Sequence, residues 1–549
     1  MRVLYYNWVD YLDDEKRGGG VTLYQRNLMR GWEGDGAVDA WFLSAGVSYD
    51  LLAARPRWEP IRHGPGENRT RRFEIVNSGT LAFSHHSFGA PEQVTHPATV
   101  EVFADFVETQ GPFDAIHFNN LEGLPAEVLA LKARFPATRF ILSLHNYYPF
   151  CPQVNLWFQE RAHCADFGGG ENCTVCLPYR HDPRLVRRAD AVAYALKKAG
   201  MRPGTRLFDG AFRPTMRLGG QALRLASGLR RRLRSVLARG PRPVPGSVPG
   251  SGRPAPPVVS GGGSADPAAA PGPAQPLPVG NGPHFAARRA AFVRLINTHC
   301  DRVLCVSDRV RAIAAHHGLD PAILQTSYIG TTHAARFAET APRPRILRAD
   351  GTLGLGYLGY MRADKGFFFL LETLERMPEA LAARLRLVVA APATDNSAVA
   401  RLRALRRRCA AVTFTDGYGH ETLDSILAEV DVGVIPVLWE DNLPQVAIEM
   451  HARRIPLLVA DRGGARELAG CDAMVFRAGS PEALTERVAA LLAERITAAD
   501  YWAGPVQAPV SMAAHLETLR AVYAGAVPLA RGGGGALPDA APAVGVQRL

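Results

Sequence analysis

The stretch Val430-Asp431-Val432-Gly433-Val434-Ile435-Pro436-Val437, followed after Leu438 by Trp439-Glu440-Asp441-Asn442-Leu443-Pro444-Gln445-Val446-Ala447-Ile448-Glu449, decides the fold class. Its first part is short and apolar on both faces, the pattern of a strand buried in a parallel sheet. A polar loop with Asn442 and Pro444 follows, and Gln445 to Arg453 has the composition of a helix. The free N–H groups of a helix start carry partial positive charge and favour an anionic ligand. Asp441 and Glu449 bracket that start, and Glu449, further along, suits sugar hydroxyls better than phosphate. The combination points to a nucleotide-sugar site.

The same alternation extends outward. Strands are expected at Arg2–Tyr6, Ala115–Phe118, Phe140–His145 and Val303–Ser307, with helices at Val21–Trp32, Glu122–Phe135 and Asp308–His317. The pattern restarts with a strand at Leu353–Gly359. It continues through a helix at Phe367–Arg376, a strand at Leu385–Ala391, a helix at Ala398–Cys409 and strands at Val412–Phe414 and Pro456–Ala460. Alternating strands and helices predict parallel sheets covered on both faces. The fold class is therefore α/β, with two separate Rossmann-like halves. The expected division is 1–340 for the first half and 350–495 for the second, followed by a helical segment, 496–527. Pro342 and Pro344 mark the linker. Residues 241–282 and the tail 531–549 are rich in Pro, Gly, Ser and Ala and bury too little apolar surface to order themselves.

The chain has 549 residues, 47% of them hydrophobic, enough for two or three domains with sizeable cores. No run approaches the roughly 18 apolar residues of a membrane span, and Met1 to Asp10 turns acidic too soon for a signal peptide. A cytoplasmic protein is expected, peripheral at the inner membrane face if its basic segment binds lipid. The net charge of +11 is carried mainly by arginine, densest at 224–239. That run lacks interleaved aromatics and any nucleic-acid motif, so it reads as a solvated helix or a contact for anionic lipid rather than a nucleic-acid groove.

Four sets of residues carry chemistry. Gly18-Gly19-Gly20 follows the first strand and opens a helix, which suits either close backbone approach to a ligand or a plain flexible turn. His145 ends a buried strand, where ligand crevices form in open α/β sheets; it orients a sugar hydroxyl or leaving group, or caps the strand. Arg362 and Lys365 sit in a strand-to-helix loop and either suit a diphosphate whose charge grows as the sugar bond breaks or belong to a plain solvated loop. Cys151, Cys164, Cys173 and Cys176 include a C-x-x-C knuckle, read as a structural zinc site or as unmetallated thiols. No Asp-x-Asp triplet ends a strand, which favours protein cations over a divalent ion at the diphosphate.

These residues resemble the family 4 glycosyltransferases of the GT-B fold. The likeness runs through Gly18 to Gly20, Asp114 to Asn120, Leu144 to Pro152 with the later cysteines, Val306-Ser307, Tyr328-Ile329-Gly330, the Lys365-Gly366 loop, Asp441 to Glu449, and Gly463-Gly464-Ala465-Arg466-Glu467-Leu468. It implies that the two Rossmann-like halves face each other across a cleft, 1–340 on the acceptor side and 350–495 binding the nucleotide sugar, with 496–527 packing back on the first half. It further implies a retaining transfer from a nucleotide sugar to a glycan or lipid-linked acceptor, with no cofactor required for catalysis. By the same resemblance Arg362 and Lys365 hold the diphosphate, Glu449 the ribose and Asp441 the sugar. Asn442, Leu443, Gly330, Gly359 and Asp416 contact the donor, while Gly18 to Gly20 and His145 face it from the other half. Three positions depart from the family: Asp441 stands for the usual Glu with Glu440 beside it, Tyr360 for an Arg directly after the Gly, and Ile329 for an Asn. The segment from Leu177 to Phe292 has no counterpart. A weakened GT-B protein that only binds glycan or nucleotide sugar is the alternative reading.

Overall fold

The computed structural model describes residues 1–15, 17–177, 182–201, 205–212, 214, 281–504 and 506–526. The basic run at 224–239, nearly all of the insert at 241–282 and the tail at 531–549 lie outside the described residues. Met1–Ala195 with Leu277–Leu549 form one compact unit, and Leu196–Pro276 a second. Described residues of the second unit include the end of the helix Pro183–Lys198 and a short turn, Phe208–Phe212.

The first unit contains two large sheets. Ten strands belong to the first half: β1 (Arg2–Tyr6), β2 (Asp39–Ala45), β3 (Arg57–Pro60), β4 (Arg72–Val76), β5 (Ala115–Phe118), β6 (Arg139–Leu144), β7 (Trp157–Phe158), β8 (Ala162–His163), β9 (Arg302–Cys305) and β10 (Leu324–Thr326). Eight of them form one sheet in the order β10-β9-β6-β5-β1-β2-β4-β3, parallel except at the β3 edge, while β7 and β8 make a small hairpin. The second half supplies β11 (Leu353–Leu358), β12 (Leu385–Ala391), β13 (Ala411–Asp416), β14 (Val432–Ile435), β15 (Leu457–Ala460) and β16 (Val475–Phe476). Their order is β13-β12-β11-β14-β15-β16, parallel throughout. This is the two-sheet α/β arrangement of the GT-B fold.

Sequence explains most of these elements. All six residues of β11, Leu-Gly-Leu-Gly-Tyr-Leu, are buried, as a strand covered by helices on both faces requires. The next helix, Phe367–Arg376, buries Phe367, Leu370, Leu371 and Leu374, the i, i+3, i+4, i+7 stripe of an amphipathic helix. Ser307 ends the β9 segment and caps the helix Asp308–His316, its Oγ accepting from Val310 N–H at 3.2 Å. Between β5 and β6 the expected α-helix is instead a 3₁₀ run, Ala126–Ala133, entered through extended Pro125. The helix after β14 is short, Gln445–His451.

The last helix, Met512–Tyr523, lies on the first half. Tyr523 Oη is 2.9 Å from Tyr5 Oη and 2.6 Å from His117 Nδ1, deep in the first core. His515 Nε2 lies 2.7 Å from Tyr24 Oη, and Arg520 pairs with Asp35. Together with the linker, this takes the chain between the two halves twice. Among the described residues, no helix is long and apolar enough to cross a membrane.

Candidate functional site

Strand order locates the site. The chain enters the second sheet at β11, winds outward through β12 and β13, then returns to β14 on the other side of β11. Loops leaving β11 and β14 therefore diverge, and a crevice opens between them at the carboxyl edge, where ligands bind in open α/β sheets. Arg362 and Lys365 are on the first loop; Asp441 and Asn442 are on the second.

The two loops are stitched together. Leu438 N–H donates to the Asp364 carbonyl at 2.9 Å. Lys365 Nζ donates to Asp441 Oδ2 at 2.5 Å and stands 5.0 Å from the Trp439 ring centroid. Arg362 reaches outward but makes a two-pronged contact with Asp364, at 2.9 and 2.7 Å. Gly366 has φ +73° and an added Cβ would sit 1.7 Å from the Pro436 carbonyl oxygen, so only glycine lets the loop pass this close to the strand. Gly463, at φ +72°, packs in the same way against the Asp441 backbone.

Glu449 is buried one turn into its helix and accepts from Tyr418 Oη at 3.2 Å. Burial raises its pKa to about 7, against the opposing pulls of Tyr418 and Arg453. A carboxyl poised there changes charge near neutrality. Tyr418 carries no signal in the sequence; the β13 loop brings it there.

Glu440 and Asp441, adjacent in sequence, have separate roles. Glu440 is fully buried and accepts from Arg309 at 2.9 and 2.7 Å, from Arg462 at 3.2 Å and from Gly463 N–H at 3.1 Å. Burial opposes its ionisation, but Arg309, with His163 and the Gly463 N–H, holds its pKa down at about 2. It is committed to an ion-pair network between the halves, which leaves Asp441 to face Lys365. The shorter acid thus occupies the crevice.

The first half meets this crevice through backbone contacts. Ser307 Oγ donates to the Asn442 carbonyl at 2.8 Å, Asn442 Nδ2 to the Leu144 carbonyl at 3.4 Å, and Gln445 Nε2 to the Gly20 carbonyl at 2.9 Å. Glu467 accepts both N–H groups that open the helix Asp308–His316, at 2.9 and 2.7 Å, and Tyr328 Oη at 2.7 Å. Gly18, Gly19 and Gly20 are at the start of the helix Gly19–Asp35, so the glycine run lies beside the helix that carries Glu449.

His145 follows β6 and is half-buried, its ring 4.9 Å from Tyr24. Its Nε2 has no hydrogen-bond partner among the described residues. Burial, reinforced by His515, lowers its pKa to about 3, so the imidazole is neutral at ordinary pH. Leu443 is buried beside Asn442. Gly359 N–H donates to the Ala390 carbonyl at 3.1 Å, and Asp416 Oδ1 accepts from Ala393 N–H at 2.7 Å; both lie on the carboxyl edge of the second sheet. Gly330 packs against Met512 and His515, and His515 in turn bonds Tyr24, the residue beside His145.

Cys151, Cys173 and Cys176 are buried and Cys164 half-buried, all as free thiols. Burial first, then the mutual influence of the four, pushes Cys164 up to about 11 and Cys173 and Cys176 up to about 12. The four share one neighbourhood. Even so, the grouping of three ligand atoms all within 4.8 Å among the described residues is Asp13, Asp14 and Glu15. A tetrahedral zinc with Zn–S near 2.3 Å needs sulfurs about 3.8 Å apart. The thiols as they stand are therefore too open, and a bound ion would have to draw them together.

A cavity of about 350 Å³ lies away from these residues, lined by Arg343, Asp431, Arg453 and Arg454 among others. Its arginines are engaged: Arg343 with Asp431, Arg453 with Asp424, and Arg454 over the Phe337 ring. It holds none of the expected site residues.

Residues 352–494, which include both crevice loops, match the family model described as Glycosyl transferases group 1. The match covers the second half of the two-sheet fold. Comparison with curated proteins gives no match. Among solved structures the chain is similar to Anabaena Alr3699/HepE in complex with UDP and glucose, at 12% identity over 96% of this chain and 100% of that one, TM-score 0.45. It is also similar to sucrose-phosphate synthase (tll1590) from Thermosynechococcus elongatus, at 13% identity over 96% and 99%, TM-score 0.49. A glycosyltransferase from Rickettsia africae ESF-5 shares 10% identity over 95% and 98%, TM-score 0.48. At these identities and scores, none of them lends this chain a substrate.

Proposed function

We propose that the chain is a retaining glycosyltransferase. It moves a sugar from a nucleotide-sugar donor to a glycan or lipid-linked acceptor in cell-surface polysaccharide synthesis, at the cytoplasmic side of the membrane. The observation that carries this reading is the crevice between β11 and β14, where Lys365, on the same loop as Arg362, meets Asp441 inside the segment that matches group 1 glycosyl transferases.

The donor diphosphate takes Lys365 and Arg362 as its cations, in place of a divalent ion. Lys365 leaves Asp441 for the phosphate, and Asp441 turns to the sugar hydroxyls. Glu449 receives ribose hydroxyls. The acceptor oxygen bonds to the anomeric carbon on the face the diphosphate leaves. The carbon–oxygen bond to phosphate breaks, and the acceptor proton passes to the departing phosphate oxygen. Positioning and fixed charge supply the rate, with no protein nucleophile.

Lys365→Ala tests the donor site. A hydrogen bond to a charged group contributes about 1.5–3 kcal/mol, so donor binding should weaken by one to two orders of magnitude. The readout is the rise in melting temperature caused by nucleotide sugars, together with their turnover. Unchanged binding and turnover would sink the assignment. Retention is read from the anomeric configuration of the product by NMR, and metal independence from turnover in chelator. The two-pronged Asp364 contact that partly neutralises Arg362 favours a second reading, a binding-only protein. That reading predicts donor binding with no product from any acceptor pool.

A further inference from the structure

The first sheet has a switch point of its own. β1 and β5 are neighbours, yet the chain runs outward from them toward opposite edges. The loops that follow them carry Trp8 and Glu122. Neighbouring loops at the same carboxyl edge, after β4 and β6, bring Phe83 and Asn146.

Phe83 is 38% exposed in a sheet edge whose other large apolar side chains are mostly buried. Its ring centroid lies 4.7 Å from that of Trp8, which is 6% exposed and forms the wall behind it. Core packing does not account for a part-exposed Phe83 ring set against a buried tryptophan, tilted 55° to it, with His86 at 5.7 Å on its edge. Glu122 is buried, and its carboxylate accepts from Ser84 N–H and from Asn146 Nδ2, each at 2.9 Å. Ser84 follows Phe83 in the chain, and Asn146 follows His145. One buried acid therefore ties the loop that presents the aromatic ring to the loop that contacts Asn442 across the cleft through Leu144.

We infer that Phe83, backed by Trp8, is the platform on which a pyranose ring of the acceptor stacks, with Glu122 as its positioning residue. This rests on the glycosyltransferase reading of the cleft. One face of a pyranose is a patch of C–H groups, which matches the electron-rich face of an aromatic ring. Its hydroxyls need polar groups nearby, and His145, next in the chain to Asn146, has an Nε2 with no hydrogen-bond partner among the described residues.

Saturation-transfer difference NMR with methyl pyranosides of glucose, galactose, mannose and N-acetylglucosamine tests this without turnover. The full chain should show transfer to the ring C–H protons of at least one of them. Phe83→Ala should weaken that binding by about tenfold, and Phe83→Trp should retain it. Glu122→Gln should weaken glycoside binding in proportion to Phe83→Ala while keeping the parent's melting curve, a split that a merely structural role would not give. Lys365→Ala should bind glycosides as the parent does. No saturation transfer in the parent, or equal transfer in Phe83→Ala, overturns the inference. A parent that shows no melting shift with any nucleotide sugar overturns the donor reading instead, and the NMR result still judges the platform.

Discussion

Replacing Glu440 with Gln removes the charge on which the two halves converge. In the folded chain this carboxyl has a pKa of about 2 against an ordinary value of 4.5, despite a burial that by itself would raise it. A group depressed by folding adds stability above its unfolded pKa and loses it as pH falls toward its folded pKa. The gap, at 1.36 kcal/mol per pH unit, corresponds to about 3 kcal/mol. The Arg309 side chain is 42% exposed, and solvent screening brings the expected loss in Glu440→Gln to about 2 kcal/mol. Urea unfolding at pH 7 and at pH 3 reads it. The parent should weaken steeply as pH falls from 4.5 toward 2, and the variant should weaken less over that window. Arg309→Ala should cost more than Glu440→Gln, about 3 kcal/mol or above, because it leaves a buried carboxylate with Arg462, the Gly463 N–H and the more distant His163. The double variant should lose less than the sum of the two. Equal urea midpoints for parent and Glu440→Gln at pH 7, or an unchanged acid response, would refute the assignment of Glu440 as the tie between the halves.

Glu449 should show the opposite pH dependence. Its folded pKa of about 7 lies above 4.5, so the folded state holds the extra proton and stability falls as pH rises between those values. Glu449→Gln should flatten that fall in a series of melting curves. Gly366→Ala places a Cβ 1.7 Å from the Pro436 carbonyl at φ +73°; left-handed backbone alone costs about 1–2 kcal/mol, and calorimetry should show at least that loss along with weaker donor binding. Zinc bound by Cys151, Cys164, Cys173 and Cys176 should raise the melting temperature, bind more tightly with rising pH as thiols release protons, and be lost in Cys173→Ser. One equivalent by elemental analysis is the expected content, and a zinc-free chain with an unshifted melting curve rules the site out.

Much of the second half was legible residue by residue. β12 and the helix Phe367–Arg376 fall where apolar runs and spacing put them, and β11, β13, β14 and β15 within two residues at each end. A strand buried on both faces has a run of apolar residues that little else produces. The first half was less legible. β2 and β4 carry polar or charged residues inside short runs; Arg72 and Glu74 are buried in β4 only because Asp10 and Ser48 meet them from other segments. The stretch expected as a helix before β6 became a 3₁₀ run after Pro125, a choice that packing against the helix Gly282–His299 completes.

The sequence by itself determined the α/β class, the restart of the pattern in a second half, and the residue types of the crevice loops. These follow from local rules: side-chain period, chain reversal at glycine and proline, and the chemistry of lysine beside acids. Tertiary structure alone decided which of two adjacent acids faces Lys365. Glu440 and Asp441 are one residue apart and chemically alike, but Arg309, Arg462 and Gly463 come from distant segments to claim the first. Tyr418 beside Glu449, the switch points, and Phe83 over Trp8 have the same origin. Each is a contact between residues far apart in the chain, set by strand order and sheet twist rather than by any spacing a sequence displays.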